Sequence, residues 1–336
     1  MENKVVIVIP CKNEENYIRG CLDSIIGSDY DKDLLKVFVC DGLSSDNTPA
    51  IIKDYENKYG YIKLLANEKQ TTPYALNLGL KYAEADYYII LGAHAGIDKD
   101  FIRKNISTFS IDNKIGCAGG IIQNIPQNKT SEVISLAMSS PFGVGSSYFR
   151  TGMKEGFVDT VAFGAYKKEV FDAIGYFDED LIRNQDDEFN FRLTKAGFKI
   201  YLNPEIKSNY YVRGSFSKLF NQFYQYGYWK VFVNKKHRTV TTIRQMIPFF
   251  FVSFLLSGLI LSMFCRYCLY AYISIIILYI VVAIYSSIRK TLIFSDILKV
   301  SFTFLLLHSS YGIGYLLGLI RFSFIKRKPE HAKLTR

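Results

Sequence analysis

The sequence predicts an α/β domain with a doubly wound, mostly parallel sheet, followed by a membrane-embedded helical region. Two observations support this prediction. Through residues 4–91, short apolar runs alternate with segments of helical periodicity, which is the pattern of a parallel sheet with crossover helices. Beyond residue 244, three uncharged runs of 21, 22 and 21 residues follow one another, and about 20 apolar residues cross a bilayer as a helix.

The elements of the α/β domain follow from the spacing of apolar residues. Strands are predicted at 4–9, 35–40, 61–65 and 87–91, and helices at 15–26, 50–59 and 73–83. The opening MENKVVIVIPCKNEE is therefore expected to form a strand, not a secretory signal. Ligands of such sheets bind beyond the carboxyl ends of the strands, so the residues after each strand deserve most weight.

Polar stretches do follow these strands. They are PCKNEEN at 10–16, DGLSSDNT at 41–48, GAHAG at 92–96 and, further on, RNQDDEFNFR at 183–192. The first strand is followed by neither G-x-G-x-x-G nor a lysine-containing P-loop, so dinucleotide-binding and P-loop sites are not supported.

Charge is unevenly distributed along the chain. Residues 1–206 contain 23 basic and 29 acidic residues, whereas 207–244 contain eight basic residues and no acid. The tail 321–336 contains six basic residues and one acid. Because the basic clusters flank apolar runs, they indicate the cytoplasmic side of a membrane and not nucleic-acid binding.

The three apolar runs are 245–265, 267–288 and 300–320. The first two are separated only by Arg266, which predicts a tight helical hairpin. The third contains HSSYGIGYLLG, and a re-entrant or interfacial path remains open for it because three full spans would put the basic tail outside. The six cysteines are expected to be free thiols.

The polar stretches resemble those of family 2 glycosyltransferases, which have the GT-A fold. The matching motifs are VVIVIPCKNEENYIRGCLDSI, VFVCDGLSSDNT, TPYALNLGLKYAEADYYIILGAHA and FGAYKKEVFDAIGYFDEDLIRNQDDEFNFRLTKAGFKI, in the family's order. The resemblance covers roughly residues 4–204 and is greatest to the membrane-associated branch with succinoglycan-type glucosyltransferases. We expect a GT-A domain at 1–210, a basic aromatic interfacial segment at 211–244, a membrane region at 245–322 and a basic tail at 323–336.

The resemblance implies a nucleotide site after the first three strands. Asp41 is expected to accept a hydrogen bond from a uracil-type NH, although an Asp-Gly pair is also typical of a plain turn. Pro10, Asn13 and Glu14 are expected to shape the pocket for the base and ribose. Lys69 is a candidate phosphate contact, with a solvated loop lysine as the alternative.

His94 occupies the place of a metal ligand. The family's motif at the end of the fourth strand is similar to Asp-Ala-His-Ala and holds a divalent metal, Mn²⁺ or Mg²⁺, against the diphosphate. Here Gly92 replaces the first acid. An imidazole suits Mn²⁺ better than Mg²⁺, so His94 is interpreted as a metal ligand or a direct phosphate contact, and metal dependence stays open.

Inverting transfer needs one carboxylate that takes the proton of the acceptor hydroxyl, whereas retaining double displacement needs a second, nucleophilic carboxylate. By resemblance, Asp186 is the base. Gln185 stands where the family has Glu. Glu188 and Arg192 are expected to pair at helical spacing, and Asp187 is expected to face solvent.

The acceptor side is expected to include Gly164, within FGAY at 163–166. The segment 216–229, FSKLFNQFYQYGYW, has the composition of a helix lying at the membrane surface. It lacks the Gln-x-x-Arg-Trp signature of processive polysaccharide synthases, and with three membrane segments a translocating channel within one chain is not expected.

The resemblance and the apolar runs together imply an inverting, membrane-anchored hexosyltransferase. It would move a sugar from a UDP-linked donor to a hydroxyl of a lipid-linked saccharide at the cytoplasmic face of the plasma membrane, for a surface polysaccharide. One alternative is transfer to polyprenyl phosphate, where the nucleophile is already an anion and a base is superfluous. Another is a non-catalytic subunit that binds a nucleotide or partner, which Gly92 favours.

Overall fold

The computed structural model describes residues 3–212 and 214–325. Its strands are β1 Val5–Cys11, β2 Leu35–Asp41, β3 Ile62–Ala66, β4 Tyr87–Ile90, β5 Ala95–Ile97, β6 Ile115–Ile125, β7 Gly156–Val158, β8 Ala162–Lys167 and β9 Lys199–Tyr211. Its first nine helices are α1 Ile18–Ile26, α2 Thr48–Lys58, α3 Thr72–Tyr82, α4 Phe101–Thr108, α5 Lys129–Met138, α6 Pro141–Val144, α7 Tyr148–Thr151, α8 Lys168–Ile174 and α9 Gln185–Lys195. The remaining helices are α10 Phe216–His237, α11 Ile247–Ser262, α12 Arg266–Ile288 and α13 Phe294–Gly318.

The chain divides into two compact units. The sheet unit contains the residues up to Asn124 and Tyr148–Tyr211, and the helical unit contains Ile125–Ser147 and the residues from Val212 onward. The sequence predicted one domain over 1–210, whereas the structure groups the segment 125–147 with the C-terminal helices, because α5 and α6 pack against α13. Most of the predicted basic tail, 326–336, lies outside the described residues.

The sheet has the order β3-β2-β1-β4-β8-β6-β9-β5, with β7 paired to β9. The strands β1 to β4 pair in parallel. By contrast, β8 is antiparallel to β4 and β6, and β9 is antiparallel to β5 and β7. The predicted α/β fold is confirmed, but the sheet is mixed, because apolar patterning predicts which residues form strands and not the direction in which later strands join.

All seven elements predicted between residues 4 and 91 are present. The largest difference is at the first helix, which was predicted from residue 15 and begins at Ile18. The central strands are apolar on both faces: the residues Val5–Ile9 of β1 are at most 1% exposed. Helices cover both sides of this strand, as expected for a continuous apolar run in a parallel sheet.

An ion pair fixes the start of α9. The Arg192 side chain donates to both oxygens of Glu188, at 2.8 and 3.0 Å, and also to the carbonyl oxygens of Ile174 and Tyr176 at 2.6 and 2.8 Å. Glu188 is 1% exposed. The predicted pairing is confirmed, and it also ties α9 to the chain that follows α8.

The C-terminal part contains three helices that are long and apolar enough to cross a membrane, at Ile243–Ser262, Arg266–Ile288 and Phe294–Phe324. The predicted hairpin at Arg266 is confirmed, since α11 ends at Ser262 and α12 begins at Arg266. Within the third helix, half of the apolar window is buried by the protein, against 6% in the other two. The third helix is therefore the one against which the rest of the helical unit packs.

The glycines of HSSYGIGYLLG allow this packing. A Cβ at Gly314 would lie 2.1 Å from the carbonyl oxygen of Tyr224 in α10, and one at Gly227 of α10 would lie 2.0 Å from the carbonyl oxygen of Tyr311. Only glycine permits backbones to approach so closely, as is common between membrane helices. Within this run, Tyr311 and Gly314 are therefore residues through which α13 contacts α10.

His308 joins the segment 125–147 to α12 and α13. Its Nε2 donates to the carbonyl oxygen of Phe142 at 2.8 Å, and its Nδ1 lies 2.9 Å from the hydroxyl of Tyr279. A neutral imidazole protonated on Nε2 satisfies both contacts, with the tyrosine hydroxyl as donor. The amine of Lys290 adds a bond to the carbonyl oxygen of Ser139 at 2.8 Å.

We predict that Arg192→Ala destabilises the sheet unit, because it leaves the Glu188 carboxylate buried without its cation. Breaking a buried pair in this way costs about 3 kcal/mol, which corresponds to a fall of roughly 5–10 °C in the thermal midpoint. Lys195→Ala, one turn away on an exposed position, is the matched control. Equal midpoints of the two variants in detergent would contradict this role of the pair.

Candidate functional site

The carboxyl ends of β1 and β2 are joined through Asp41, which is 6% exposed. One of its carboxylate oxygens accepts the backbone N–H of Ser44 at 2.9 Å. The other accepts the hydroxyl of Ser44 and the thiol of Cys11, the latter at 3.6 Å. The turn role considered for Asp41 is thus observed. Because each carboxylate oxygen has two acceptor sites, the carboxylate retains capacity for a ligand.

Asn13 and Glu14 connect the loop after β1 to the loop after β2. The side-chain oxygen of Asn13 accepts the N–H of Ser45 at 2.8 Å, and its own N–H donates to the Ser44 hydroxyl at 2.7 Å. Asn13 adopts a left-handed conformation with φ of 54°, which asparagine tolerates better than most residues. The N–H of Glu14 donates to the hydroxyl of Thr48 at 2.8 Å.

The loop after β3, which carries Lys69, joins the same edge. The N–H of Asn67 donates to the carbonyl oxygen of Asp41 at 2.8 Å, and the amine of Lys12 donates to the side chain of Gln70. Lys69 itself is exposed. Pro10 lies within β1, opposite Cys40 of β2 in the parallel register, so it precedes the loop and does not belong to it.

His94 lies between β4 and β5, with its side chain 34% exposed. Its Nδ1 is 3.5 Å from a carboxylate oxygen of Glu14, whose side chain is 11% exposed. The imidazole also packs edge-on against Tyr210 of β9, with ring centres 5.5 Å apart. The structure therefore brings together Glu14 and His94, which the sequence placed in different parts of the site.

The pair offers one carboxylate oxygen and one imidazole nitrogen, a donor set that suits Mn²⁺. Among the described residues, no group of three His, Cys, Asp or Glu side chains is arranged to hold a metal, so the pair fits as part of a ligand set that a substrate must complete. A Cβ at Gly92 would lie 3.3 Å from the ring of Phe163. That ring occupies the side of the loop where the family's first acid would stand.

Phe163 itself has φ of 49°. A bulky residue in the left-handed region is uncommon and strained, and such residues concentrate at functional sites. Phe163 precedes Gly164 in β8, where a Cβ would lie 2.9 Å from the sulfur of Cys117. Gly164 is thus required for close packing of β8 on β6, in addition to any part in the acceptor pocket.

Asp186 lies in the first turn of α9, which follows Asn184 in a left-handed conformation with φ of 60°. The side chain of Asp186 is exposed, whereas Asp187 is half-buried. Asp187 keeps part of its surface exposed, so the expectation that it faces solvent stays a prediction. Gln185 is half-buried at the first position of α9.

The carboxylate of Asp186 lies near Tyr166 of β8. Burial first, then the neighbouring Cys117 and Asp186, raise the pKa of the Tyr166 phenol well above its usual value. The phenol is therefore neutral at physiological pH, and its hydroxyl lies 3.3 Å from the side-chain oxygen of Asn190. Asn190 follows Asp186 by one helical turn, so these two side chains lie on the same side of α9, and Asn190 contacts Tyr166 from there.

The Asn77 side chain of α3 fixes a segment that precedes α9. It is 4% exposed and bonds to both the N–H and the carbonyl oxygen of Phe177, at 3.0 and 2.8 Å. It holds the chain before α9 in position. Tyr210 and Arg150 contact one another beside His94 without having been predicted, because their placement depends on contacts between distant parts of the chain.

The cysteines are free, as predicted. Cys21 lies beside the site, with its sulfur 3.7 Å from the carbonyl oxygen of Gly92. Burial, assisted by the charge of Glu14, raises the pKa of this thiol to about 12. It is therefore a protonated, unreactive packing group and not a nucleophile.

Comparison with known proteins bears out the resemblance seen in the motifs. A glucuronosyltransferase of Methanococcus voltae that acts on dolichyl N-acetyl-α-D-glucosaminyl phosphate is 36% identical over 329 residues, covering 95% of this chain and 98% of the relative. Succinoglycan biosynthesis protein ExoA of Rhizobium meliloti is 27% identical over 245 residues, covering 72% of this chain and 74% of the relative.

Solved structures with low sequence identity share the GT-A fold. The mannosyltransferase PcManGT from Pyrobaculum calidifontis, in complex with GDP-Man and Mn²⁺, gives a TM-score of 0.53 at 19% identity, covering 67% of this chain and 62% of that one. The S. aureus TarS 1-349 complex with UDP-GlcNAc gives a TM-score of 0.51 at 18% identity, covering 68% of this chain and 66% of that one.

The sheet unit carries the decisive match, because the family model described as glycosyl transferase family 2 aligns with residues 6–175. That interval includes the loops joined by Asp41 and the segment with His94, and it ends before Asp186. The relative from Methanococcus extends the similarity through the three apolar helices. The chain belongs to glycosyltransferase family 2, and the protein is a glycosyltransferase associated with a membrane.

Proposed function

We propose that the protein is an inverting glycosyltransferase that moves a sugar from a UDP-linked donor to a hydroxyl of a lipid-linked saccharide. The transfer takes place at the cytoplasmic face of the cell membrane. The exposed carboxylate of Asp186 at the start of α9, in the same unit as the loops joined by Asp41, is the observation that carries this proposal. The acceptor class is supported by the name of the Methanococcus relative, which is similar along 95% of the chain.

The donor nucleotide binds across the carboxyl ends of β1 to β3. Asp41 accepts the base N–H with the capacity left by its contacts to Ser44 and Cys11, and its burial fixes the direction of that bond. Asn13 and Pro10 shape the pocket for the base and ribose. Lys69, exposed on the third loop, reaches the diphosphate as a mobile cation.

Asp186 accepts the proton of the acceptor hydroxyl while that oxygen attacks the anomeric carbon from the face opposite the nucleotide. The exposed position of Asp186 suits this role, because an acceptor must reach the carboxylate. Glu188 and Arg192 support it by fixing the first turn of α9. The nearby Tyr166 phenol stays neutral and does not compete for the proton.

Glu14 and His94 would hold a divalent metal, and the donor diphosphate would complete its ligands. When bound, the metal neutralises charge that develops on the leaving diphosphate. The separation of 3.5 Å between the carboxylate oxygen of Glu14 and Nδ1 of His94 allows both to contact one ion. Because Gly92 replaces an acid, the diphosphate would supply a larger share of the metal's ligands than in a site with a full set of protein ligands.

Membrane association follows from the acceptor, because a lipid-linked saccharide cannot leave the bilayer. The three apolar helices keep the catalytic unit at the surface where that acceptor is available. The basic residues of 207–244 fit the anionic cytoplasmic leaflet, where each such cation near the surface contributes about 1 kcal/mol.

We predict that Asp186→Asn lowers the rate of sugar transfer by roughly 10²–10⁴-fold, the usual contribution of a positioned base, and leaves UDP affinity unchanged. Asp187→Asn, on the next residue of the same turn, is the control and keeps most of the activity. The measurement is UDP release by detergent-purified protein supplied with UDP-sugars and native membrane lipids. Transfer that survives Asp186→Asn would instead indicate an acceptor that is already anionic, such as polyprenyl phosphate.

We also predict that EDTA abolishes UDP release and that Mn²⁺ restores it better than Mg²⁺, because an imidazole nitrogen suits the softer ion. His94→Ala should raise the Mn²⁺ concentration needed for half-maximal release. His237→Ala, at the end of α10, is the control and should not change it. Undiminished release in EDTA would remove the metal from the proposal and leave His94 as a phosphate contact.

A further inference from the structure

The short helix α7 ends in two polar side chains whose buried atoms lack hydrogen bonds. Within the described residues, Nη1 of Arg150 and the hydroxyl of Thr151 are shielded from solvent and have no partner. They are consecutive in the chain. An unpaired buried hydroxyl costs roughly 1–3 kcal/mol and an unpaired charged donor more, so such atoms call for an explanation.

Arg150 contacts the same aromatic ring as His94. The carbon of its guanidinium group is 5.4 Å from the centre of the Tyr210 ring and 5.2 Å from that of Phe149. The ring of Tyr210 also contacts His94, with centres 5.5 Å apart. Tyr210 is held in place by its pairing with Ala95, the residue after His94. Arg150 and His94 thus lie against one aromatic ring.

The surroundings of Arg150 leave its charge without an anion. In the part of the chain that the structure describes, no ion pair joins Arg150 to an aspartate or glutamate, in contrast to Arg103 and Arg192. The aromatic faces of Phe149 and Tyr210 stabilise a cation, but only by about 0.5–2 kcal/mol. They offer no acceptor for the N–H groups. The guanidinium is therefore positioned by its neighbours, while its Nη1 has no acceptor among the described residues.

Phosphoryl oxygens match what these two residues lack. A guanidinium group binds phosphate with a planar pair of N–H donors, which is geometrically more specific than the point charge of lysine. A threonine hydroxyl supplies one more donor to the same kind of anion. Both substrates of the proposed reaction carry such oxygens, the donor in its diphosphate and the lipid-linked acceptor in its own phosphate.

We propose that Arg150 and Thr151 form a phosphoryl-binding site of this enzyme, and that its ligand is a phosphoryl group of the substrates. This inference rests on the proposed function and deepens it. Proximity to His94 favours the donor diphosphate as the ligand. Arg150 then supplies fixed positive charge beside a strand end that has Gly92 in place of an acid.

The sugar transfer creates negative charge that a phosphoryl-binding site can stabilise. A bond forms between the acceptor oxygen and the anomeric carbon, and the bond from that carbon to the diphosphate oxygen breaks. The proton goes to Asp186, and the electron pair of the broken bond leaves with UDP. The leaving diphosphate thereby gains negative charge, which Arg150 and Thr151 stabilise where it develops.

The test compares Arg150→Gln, Arg150→Lys and Thr151→Val in the full-length, detergent-purified protein. We expect Arg150→Gln to lower the binding affinity for UDP and for inorganic pyrophosphate by about 10–100-fold, which is the equivalent of losing one charge-assisted contact. The affinity for uridine, which has no phosphate, should stay unchanged. Arg150→Lys should retain part of the UDP affinity that Arg150→Gln loses, and Thr151→Val should lower the UDP affinity by a few-fold. Arg103→Gln, which removes an arginine paired with Asp29, is the matched control.

A second arm distinguishes the two phosphates. It compares KM for a polyprenyl-phosphate-linked N-acetylglucosamine with KM for the octyl glycoside of the same sugar. Unchanged UDP affinity with a higher KM for the phosphate-containing acceptor alone would assign the site to the acceptor phosphate. The proposal would be overturned if Arg150→Gln lowered the affinities for UDP and uridine equally. It would also be overturned if the variant changed neither the UDP affinity nor the KM for the phosphate-containing acceptor. If wild-type protein bound UDP but transferred no sugar, the proposed function would fail, and the UDP arm would still report on Arg150.

Discussion

The site depends on a geometric constraint: parallel strands end at the same edge, so the loops that follow them must meet there. In this chain the meeting is fixed by the carboxylate of Asp41, which is 6% exposed and accepts hydrogen bonds from Ser44 and Cys11. Asn13 and Asn67 add bonds to the same group of loops. A buried carboxylate with several donors is rigid, and rigidity is what a site needs in order to orient a nucleotide.

The helical unit follows a different rule, because polar atoms within apolar helices must find partners inside the protein. His308 does so with Tyr279 and Phe142, and the glycines of α13 let its backbone approach α10 closely. The segment 125–147 belongs to this unit although it is inserted between two strands of the sheet. The chain therefore passes between the sheet unit and the helical unit three times, at 124–125, 147–148 and 211–212.

Local patterns in the sequence were sufficient for what depends on local contacts. The alternation of apolar runs predicted seven elements, and helical spacing predicted the pair of Glu188 and Arg192. The order of the motifs predicted the family. Contacts between distant segments could not be predicted in this way: the antiparallel entry of β8 and β9, the burial of Asn77 against Phe177, and the approach of Arg150 and Phe163 to the loop with His94. Each depends on packing between residues more than 40 positions apart, which no periodicity reports.

We propose that the nucleotide binds across the carboxyl ends of β1 to β3, with its diphosphate beside His94 after β4. Hydrogen–deuterium exchange of the full-length protein in detergent, with and without UDP and Mn²⁺, tests it most directly. The account predicts slower exchange in the loops 10–16, 41–48 and 92–96, because bound nucleotide restrains them, and unchanged exchange in α4 on the opposite side of the fold. Protection confined to other segments, with these three loops unaffected, would contradict the account.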